Sequence, residues 1–130
     1  MSTTKISMQF GNKFSGTLNG EKTTVNIGVK DGEAMPYELL LGALGACYYA
    51  TFYEIAKKMR LEYEKVELQI EGIKREEEPA YLIDTKIVMS VFNGGDKDKL
   101  ARASELAQKY CSIYYTISQV SKMDVELKFL

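Results

Sequence analysis

The side chains best suited to covalent chemistry in this sequence are two cysteines, Cys47 and Cys111. A cysteine thiolate is a nucleophile that can be oxidised, but a free cysteine also serves as a small buried hydrophobe. Cys47 lies in a run without charge from Leu39 to Tyr53, which fits either role. The absence of histidine excludes Cys-His and Ser-His-Asp machinery, and two thiols alone make a poor zinc site. We therefore expect neither a metal nor a cofactor.

Length and composition indicate one soluble domain. The 130 residues are expected to form a single domain, residues 1–130, with 45% apolar and 27% charged residues. A formal net charge of −1 gives no basic field for phosphate backbones, so nucleic acid is not an expected partner. The opening MSTTKISMQF lacks the pattern of a signal peptide, and the uncharged run is too short to span a membrane. We expect a cytoplasmic protein without a membrane partner.

The N-terminal part of the chain predicts three short strands, over residues 4–10, 13–18 and 22–29. Gly11-Asn12 and Asn19-Gly20 separate them. Asn-Gly between strands favours a type I′ turn, which needs positive φ at both central residues. The prediction is an antiparallel meander.

A long helix is predicted to start at Pro36 and to carry Cys47. From Tyr37 to Met59 it has apolar residues on nearly every face, so it must be central in the fold or shared with a second subunit. Gly42 and Gly45 cost stability inside a helix. They indicate either close packing or a break just before Cys47.

Two strands, a second helix and a last strand are predicted to follow. Alternating apolar residues predict strands over residues 63–75 and 81–91, and Asp96 is expected to cap a helix that ends at Cys111. A short turn or helix through Thr116 leads to a final strand. The order of elements predicts an α+β fold. The inward-facing residues are expected to be Tyr81, Ile83, Thr85, Ile87, Met89 and Val91 on the second of these strands, and Leu100, Ala103, Leu106, Ala107 and Tyr110 on the helix.

Two segments carry a resemblance to a known family. The run from Pro36 to Cys47 (PYELLLGALGAC) resembles the signature helix of the OsmC/Ohr family, the osmotically inducible and organic-hydroperoxide-resistance proteins. Lys109 to Ile113 (KYCSI), between a helix and a final strand, looks like the second cysteine site of that family. The resemblance spans essentially the whole chain. It implies an intertwined homodimer of OsmC-like subunits with active sites at the subunit interface.

The resemblance also implies a two-cysteine thiol peroxidase that defends against oxidative stress. Cys47 would be the peroxidatic residue that attacks a small organic hydroperoxide and becomes a sulfenic acid, and Cys111 would be the resolving residue that captures it as a disulfide. A dithiol would then reduce the disulfide. For the disulfide to close, the two Cα atoms must come within roughly 7 Å.

The chain departs from the pattern of the family peroxidases, which use an arginine of the N-terminal strands together with a glutamate directly after the proline. No arginine precedes Arg60, and Tyr37 follows the proline, so that Glu38 is the candidate catalytic carboxylate or else only an acid favoured by the helix dipole. Ionisation of Cys47 requires a cation or a helix N-terminus nearby. Ser112 stands where many members have proline, which leaves the thiol in place. The lysines that could replace the arginine are Lys13, Lys22 and Lys30.

Two other functions are compatible with the same residues. One is a non-peroxidase member of the family that binds a hydrophobic or sulfur-containing small molecule at the dimer interface. The other is a structural dimer whose cysteines are inert, which predicts slow alkylation in the folded protein. A tyrosine hydroxyl near a thiolate could donate a hydrogen bond or line an apolar pocket. The tyrosines that crowd the cysteines are Tyr48, Tyr49, Tyr53, Tyr110, Tyr114 and Tyr115.

Overall fold

The computed structural model describes residues 1–130 and confirms the α+β fold. Six strands form two three-stranded sheets, of order β1-β2-β3 and β4-β5-β6, and three helices complete the chain. The order of elements follows the prediction. The elements are β1 Ser7–Phe10, β2 Gly16–Asn19, β3 Thr24–Ile27, α1 Pro36–Lys58, β4 Lys65–Lys74, β5 Leu82–Phe92, α2 Lys97–Tyr110, α3 Ser112–Ser118 and β6 Lys122–Phe129.

The residues divide by their contacts into two compact units, Met1–Leu40 and Leu41–Leu130, and the boundary falls within α1. The first unit contains the β1-β2-β3 sheet. The second contains the β4-β5-β6 sheet, most of α1, both other helices and both cysteines. That residues 1–130 act as a single domain remains a prediction.

The N-terminal meander is confirmed, but its predicted turns are wrong. Strand β2 pairs antiparallel with both β1 and β3. Positive φ occurs at neither Gly11-Asn12 nor Asn19-Gly20, so no type I′ turn forms there. Asn19 instead pairs with Thr24 as a strand residue, and its side-chain oxygen accepts a 3.0 Å hydrogen bond from the Thr24 hydroxyl. The strand therefore includes Asn19, and the chain reverses over residues 20–23, where the Gly20 N–H donates to the Thr23 carbonyl at 2.9 Å.

Helix α1 is buried on one face only. Its buried row is Leu44, Tyr48, Phe52 and Ala56, which are four residues apart and therefore lie above one another on the helix. On other faces several apolar residues remain exposed in the single chain, so the prediction of a buried helix holds for one side. The exposed apolar residues of this helix are Leu40, Gly42, Ala46, Ala50 and Tyr53.

Gly45 allows α1 to lie close to strand β4. A Cβ atom on Gly45 would be 2.5 Å from the Ile70 Cδ1 atom, whereas one on Gly42 would meet open space. The helix runs without a break through Cys47, so close packing explains Gly45. By length and composition alone α1 could cross a membrane, with a mean hydropathy of 1.3 in its most apolar window. Its buried row and its contact with β4 are instead typical of a core helix.

In strand β5 the alternation of buried and exposed residues shifts by one residue at a β-bulge. The pairing of β4 with β5 skips Ile83, which is the extra residue. Before the bulge Leu82 is buried and Tyr81 is exposed, so the prediction that Tyr81 and Ile83 face inward is wrong. An extra residue reverses which side chains point to the core. The inward positions that the structure confirms are Thr85, Ile87, Met89 and Val91.

Helix α2 connects β5 to β6, which pair in parallel. The predicted cap is confirmed, because a carboxylate oxygen of Asp96 accepts the Lys99 N–H at 3.1 Å. A hydrogen bond links α2 to α1, with the Ser104 Oγ atom 2.6 Å from the Tyr48 hydroxyl oxygen. Tyr110 is 62% exposed, so its predicted place in the core is wrong: the helix ends at this residue and the ring lies outside the core. The buried residues of α2 are Leu100, Ala103, Ser104 and Ala107.

Candidate functional site

Cys111 occupies the joint between α2 and α3. Its backbone is extended, with φ −71° and ψ 116°, so the two helices do not merge into one. Its N–H donates to the Ala107 carbonyl at 2.9 Å and completes α2. Its Sγ atom accepts the Tyr114 N–H at 3.4 Å and caps α3. The first-turn N–H groups of a helix have no partner within the helix. The break at Cys111 therefore leaves the N–H groups of Ser112 and Ile113 without a partner within the helix.

Cys47 of α1 lies against these donors. Its Sγ atom is 3.8 Å from the Ser112 Oγ atom, and the nearby backbone N–H groups of Ser112 and Ile113 lower the pKa of the thiol. The thiols of Cys47 and Cys111 also affect each other's pKa. Both cysteines are free thiols. The structure thus brings together two residues that lie on different helices and far apart in the sequence.

The surroundings of Cys47 favour its thiolate. Partial burial opposes ionisation, but the donors from Ile113, Cys111 and Ser112 together outweigh it and hold the pKa of Cys47 below its ordinary value. Hydrogen bonds to the charged form of a group lower the pKa of an acid. The sequence left two sources of stabilisation open, a cation or a helix N-terminus. The groups that lower the pKa of Cys47 lie at the start of α3, which favours the helix N-terminus.

Cys111 has the opposite environment. The residue is fully buried. Burial, together with the effect of the neighbouring Cys47, raises the pKa of its thiol to about 11 although the N–H groups of Tyr114 and Ile113 act against this. The pair is therefore polarised: as the pH rises, Cys47 loses its proton first and Cys111 keeps its own.

A groove of about 520 Å³ runs along α1 beside Cys47. Its walls are mainly apolar, and Glu54 and Lys58 are its charged residues. A volume of this size suits a small organic molecule. Cys47 is only partly buried, so a molecule in the groove can reach its sulfur. The residues that line the groove are Cys47, Ala50, Thr51, Glu54, Ile55, Lys58 and Tyr110.

Glu38, the third predicted site residue, contributes a contact at the start of α1. Its carboxylate accepts the Met35 N–H at 2.9 Å, which is a capping interaction. The groups that act on the pKa of Cys47 all belong to residues 111–113. Glu38 and the candidate lysines Lys13, Lys22 and Lys30 belong to the N-terminal unit.

The sequence did not identify Ser112 as a site residue. Its only signal is the serine in place of proline after the second cysteine. The structure places the Ser112 hydroxyl beside the Cys47 sulfur. Of the tyrosine hydroxyls that could donate to a thiolate, two have other partners: Tyr48 bonds to Ser104, and Tyr49 bonds to Tyr63 at 2.8 Å.

The two thiols are expected to differ sharply in alkylation. In the folded protein near neutral pH, iodoacetamide should modify Cys47 and leave Cys111 intact, because Cys111 is buried and protonated. A lowered pKa populates the thiolate at lower pH, so the rate for Cys47 should level off at a lower pH than in the unfolded chain. Peptide mass spectrometry of samples quenched at intervals measures both rates.

The same chain in denaturant is the control, because there both thiols should react alike. Equally slow modification of Cys47 and Cys111 in the folded protein would contradict the polarised pair. That result would favour inert, structural cysteines.

The family model of the OsmC-like protein matches residues 29–126 of the chain. No curated protein sequence matches it. Three solved structures resemble it along nearly their whole length. A hypothetical protein from Aquifex aeolicus VF5 superposes with a TM-score of 0.84 at 23% identity, covering 100% of this chain and 99% of that one. The OsmC like protein from Mycoplasma pneumoniae gives a TM-score of 0.88 at 15% identity, with 99% and 98% covered.

The organic hydroperoxide resistance protein OhrB of Bacillus subtilis is also similar. It superposes with a TM-score of 0.67 at 18% identity, covering 99% of this chain and 98% of that one. Identities this low show a shared fold, while the family match covers most of the chain. The chain belongs to the OsmC-like protein family.

Proposed function

We propose that the protein reduces organic hydroperoxides with two thiols, Cys47 as the peroxidatic residue and Cys111 as the resolving residue. One observation carries the proposal: two free thiols lie close enough to affect each other's pKa, and the one that lines an open groove is the one whose thiolate is favoured. The structural similarity to proteins named for organic hydroperoxide resistance supports it.

In the first step the Cys47 thiolate attacks the terminal oxygen of the hydroperoxide. A sulfur–oxygen bond forms, the oxygen–oxygen bond breaks, and the alkoxide leaves and takes a proton from water to become the alcohol. Cys47 is then a sulfenic acid. The apolar walls of the groove suit the organic part of such a substrate.

In the second step the sulfur of Cys111 attacks the sulfur of the sulfenic acid. A disulfide forms, the sulfur–oxygen bond breaks, and the departing hydroxide leaves as water with the proton that Cys111 held. Because Cys111 lies near enough to Cys47 to affect its pKa, capture needs no second molecule. Its burial keeps it away from the hydroperoxide itself. A dithiol then restores both thiols by exchange.

The proposal includes an intertwined homodimer in the cytoplasm. The exposed Gly42, Ala46 and Ala50 of α1 support a subunit interface, since small residues let another surface approach closely. Two free thiols suit a reducing compartment. Glu38 stays in the proposal as a catalytic candidate, although its hydrogen bond to the Met35 N–H supports a role in capping.

The test mixes reduced protein with cumene hydroperoxide in the absence of any other reductant. About one hydroperoxide should disappear per chain as both thiols are lost, because one turnover converts two thiols to one disulfide. Reaction with dithiothreitol should then restore both thiols. Protein alkylated beforehand at Cys47 is the control and should consume none. An unaltered protein that leaves the hydroperoxide intact would overturn the proposal.

A second candidate function is binding of a hydrophobic or sulfur-containing small molecule without redox chemistry. The groove beside Cys47 favours it, because its mainly apolar walls would hold such a molecule whether or not the thiols react. This function predicts saturable binding that persists after both thiols are blocked with a small reagent. Calorimetry with a hydrophobic thioether measures it.

A further inference from the structure

Ser112 is the only side-chain hydroxyl that hydrogen-bonds the Cys47 sulfur, with its Oγ atom 3.8 Å from Sγ. A thiolate has no proton, so it can only accept, and the Ser112 hydroxyl must then be the donor. The backbone N–H of the same residue also lowers the pKa of Cys47. Ser112 thus offers a hydroxyl in contact with the reacting atom and a backbone N–H near it.

The local backbone leaves these donors free. Ser112 is the first residue of α3, where an N–H has no partner within the helix. The Ser112 carbonyl is engaged by the Thr116 hydroxyl at 3.0 Å, which fixes the residue from the other side. The hydroxyl and the N–H therefore remain directed at Cys47 without a competing backbone partner.

We propose that Ser112 is a catalytic residue that stabilises the Cys47 thiolate, and later its sulfenate, through its hydroxyl and its backbone N–H. This inference rests on the proposed hydroperoxide reduction, but its contacts exist in the reduced protein before any substrate binds. The residue touches the reacting sulfur, so its effect on ionisation can be measured apart from turnover. The pKa of Cys47, which lies below its ordinary value, agrees with this arrangement.

Three substitutions separate the two donors. Ser112→Thr keeps the hydroxyl and the N–H, Ser112→Ala keeps only the N–H, and Ser112→Pro removes both. Proline is compatible with this position because it is favoured at the first residue of a helix and the preceding Cys111 is extended. Each variant should therefore keep the fold, which circular dichroism checks. Burial of Cys111, read as its resistance to alkylation, is a second check.

The experiment measures the pH dependence of Cys47 alkylation by peptide mass spectrometry in the unaltered chain and the three variants. The Ser112→Thr curve should match that of the unaltered chain. Ser112→Ala should titrate at higher pH and react about threefold or more slowly below neutrality, since a hydrogen bond to a charged group is lost. Ser112→Pro should be slower again.

Each comparison can overturn one part of the inference. If Ser112→Ala titrates like the unaltered chain, the hydroxyl has no such role. If Cys47 titrates at the same pH in Ser112→Pro as in Ser112→Ala, the backbone N–H does not stabilise the thiolate. Neither result depends on hydroperoxide, so the inference can fail while the unaltered protein still consumes cumene hydroperoxide. If that consumption is absent, Ser112 has no catalytic role in hydroperoxide reduction, even where it stabilises the thiolate.

Discussion

Replacing Cys47 by serine is expected to abolish hydroperoxide reduction. A serine hydroxyl is essentially un-ionised near neutral pH and is a poor nucleophile, so the rate should fall by at least about 100-fold. The replacement differs by one atom, and the residue is only partly buried, so the fold should be retained. The measurement is consumption of cumene hydroperoxide in the presence of excess dithiothreitol, corrected for the reaction of the dithiol alone.

Ala80→Ser is a control for this variant. Ala80 is exposed in the connection between β4 and β5, so the change adds the same hydroxyl without removing a thiol. Its activity should stay close to that of the unaltered chain. Peroxide consumption by Cys47→Ser at the rate of the control would show that the reaction occurs elsewhere in the molecule.

The helices and strands could be predicted from the sequence because the periodic pattern of apolar residues continues over the length of each one. The run from Tyr37 predicts α1, and Asp96 marks the start of α2 correctly. The two predictions that are wrong depend on the backbone conformation at single residues. Asn19 continues in its strand instead of turning, and one extra residue at Ile83 reverses the faces of β5. No local pattern of residue types predicts the strand conformation of Asn19 or the bulge at Ile83.

The candidate site was predictable to a lesser degree. The resemblance identified Cys47 and Cys111, but the donors around them arise from a tertiary contact. The extended backbone of Cys111 ends α2 and exposes the first turn of α3, and α1 must then place Cys47 on that turn. Whether a serine such as Ser112 faces solvent or a thiol depends on this juxtaposition of helices. For the same reason the opposite pKa shifts of the two thiols could not be predicted.

Replacing Cys111 by serine is expected to stop the reaction at the sulfenic acid of Cys47. Cys47 should still react, but with no thiol beside it the sulfenic acid cannot be captured as a disulfide within the chain. About one equivalent of cumene hydroperoxide should be consumed without reductant, and dimedone should then label Cys47. Mass spectrometry of the labelled peptide measures the trapped species. In the unaltered chain, fast capture should leave almost no dimedone adduct.

Comparison of Cys111→Ser with Cys111→Ala separates resolution from support of the first step. Serine is a preferred residue before a helix. Its hydroxyl can replace the Cys111 sulfur as the acceptor of the Tyr114 N–H. The same hydroxyl can also donate a hydrogen bond to Cys47. Alanine can do neither, so Cys111→Ala should lose resolution and also react more slowly with hydroperoxide in the first step. Equal first-step rates in the two variants would mean that Cys111 acts only after Cys47 is oxidised. If the Cys47 sulfenic acid disappeared from Cys111→Ser as fast as from the unaltered chain, Cys111 would be excluded as the resolving residue, since Cys47 is then the only thiol in the chain.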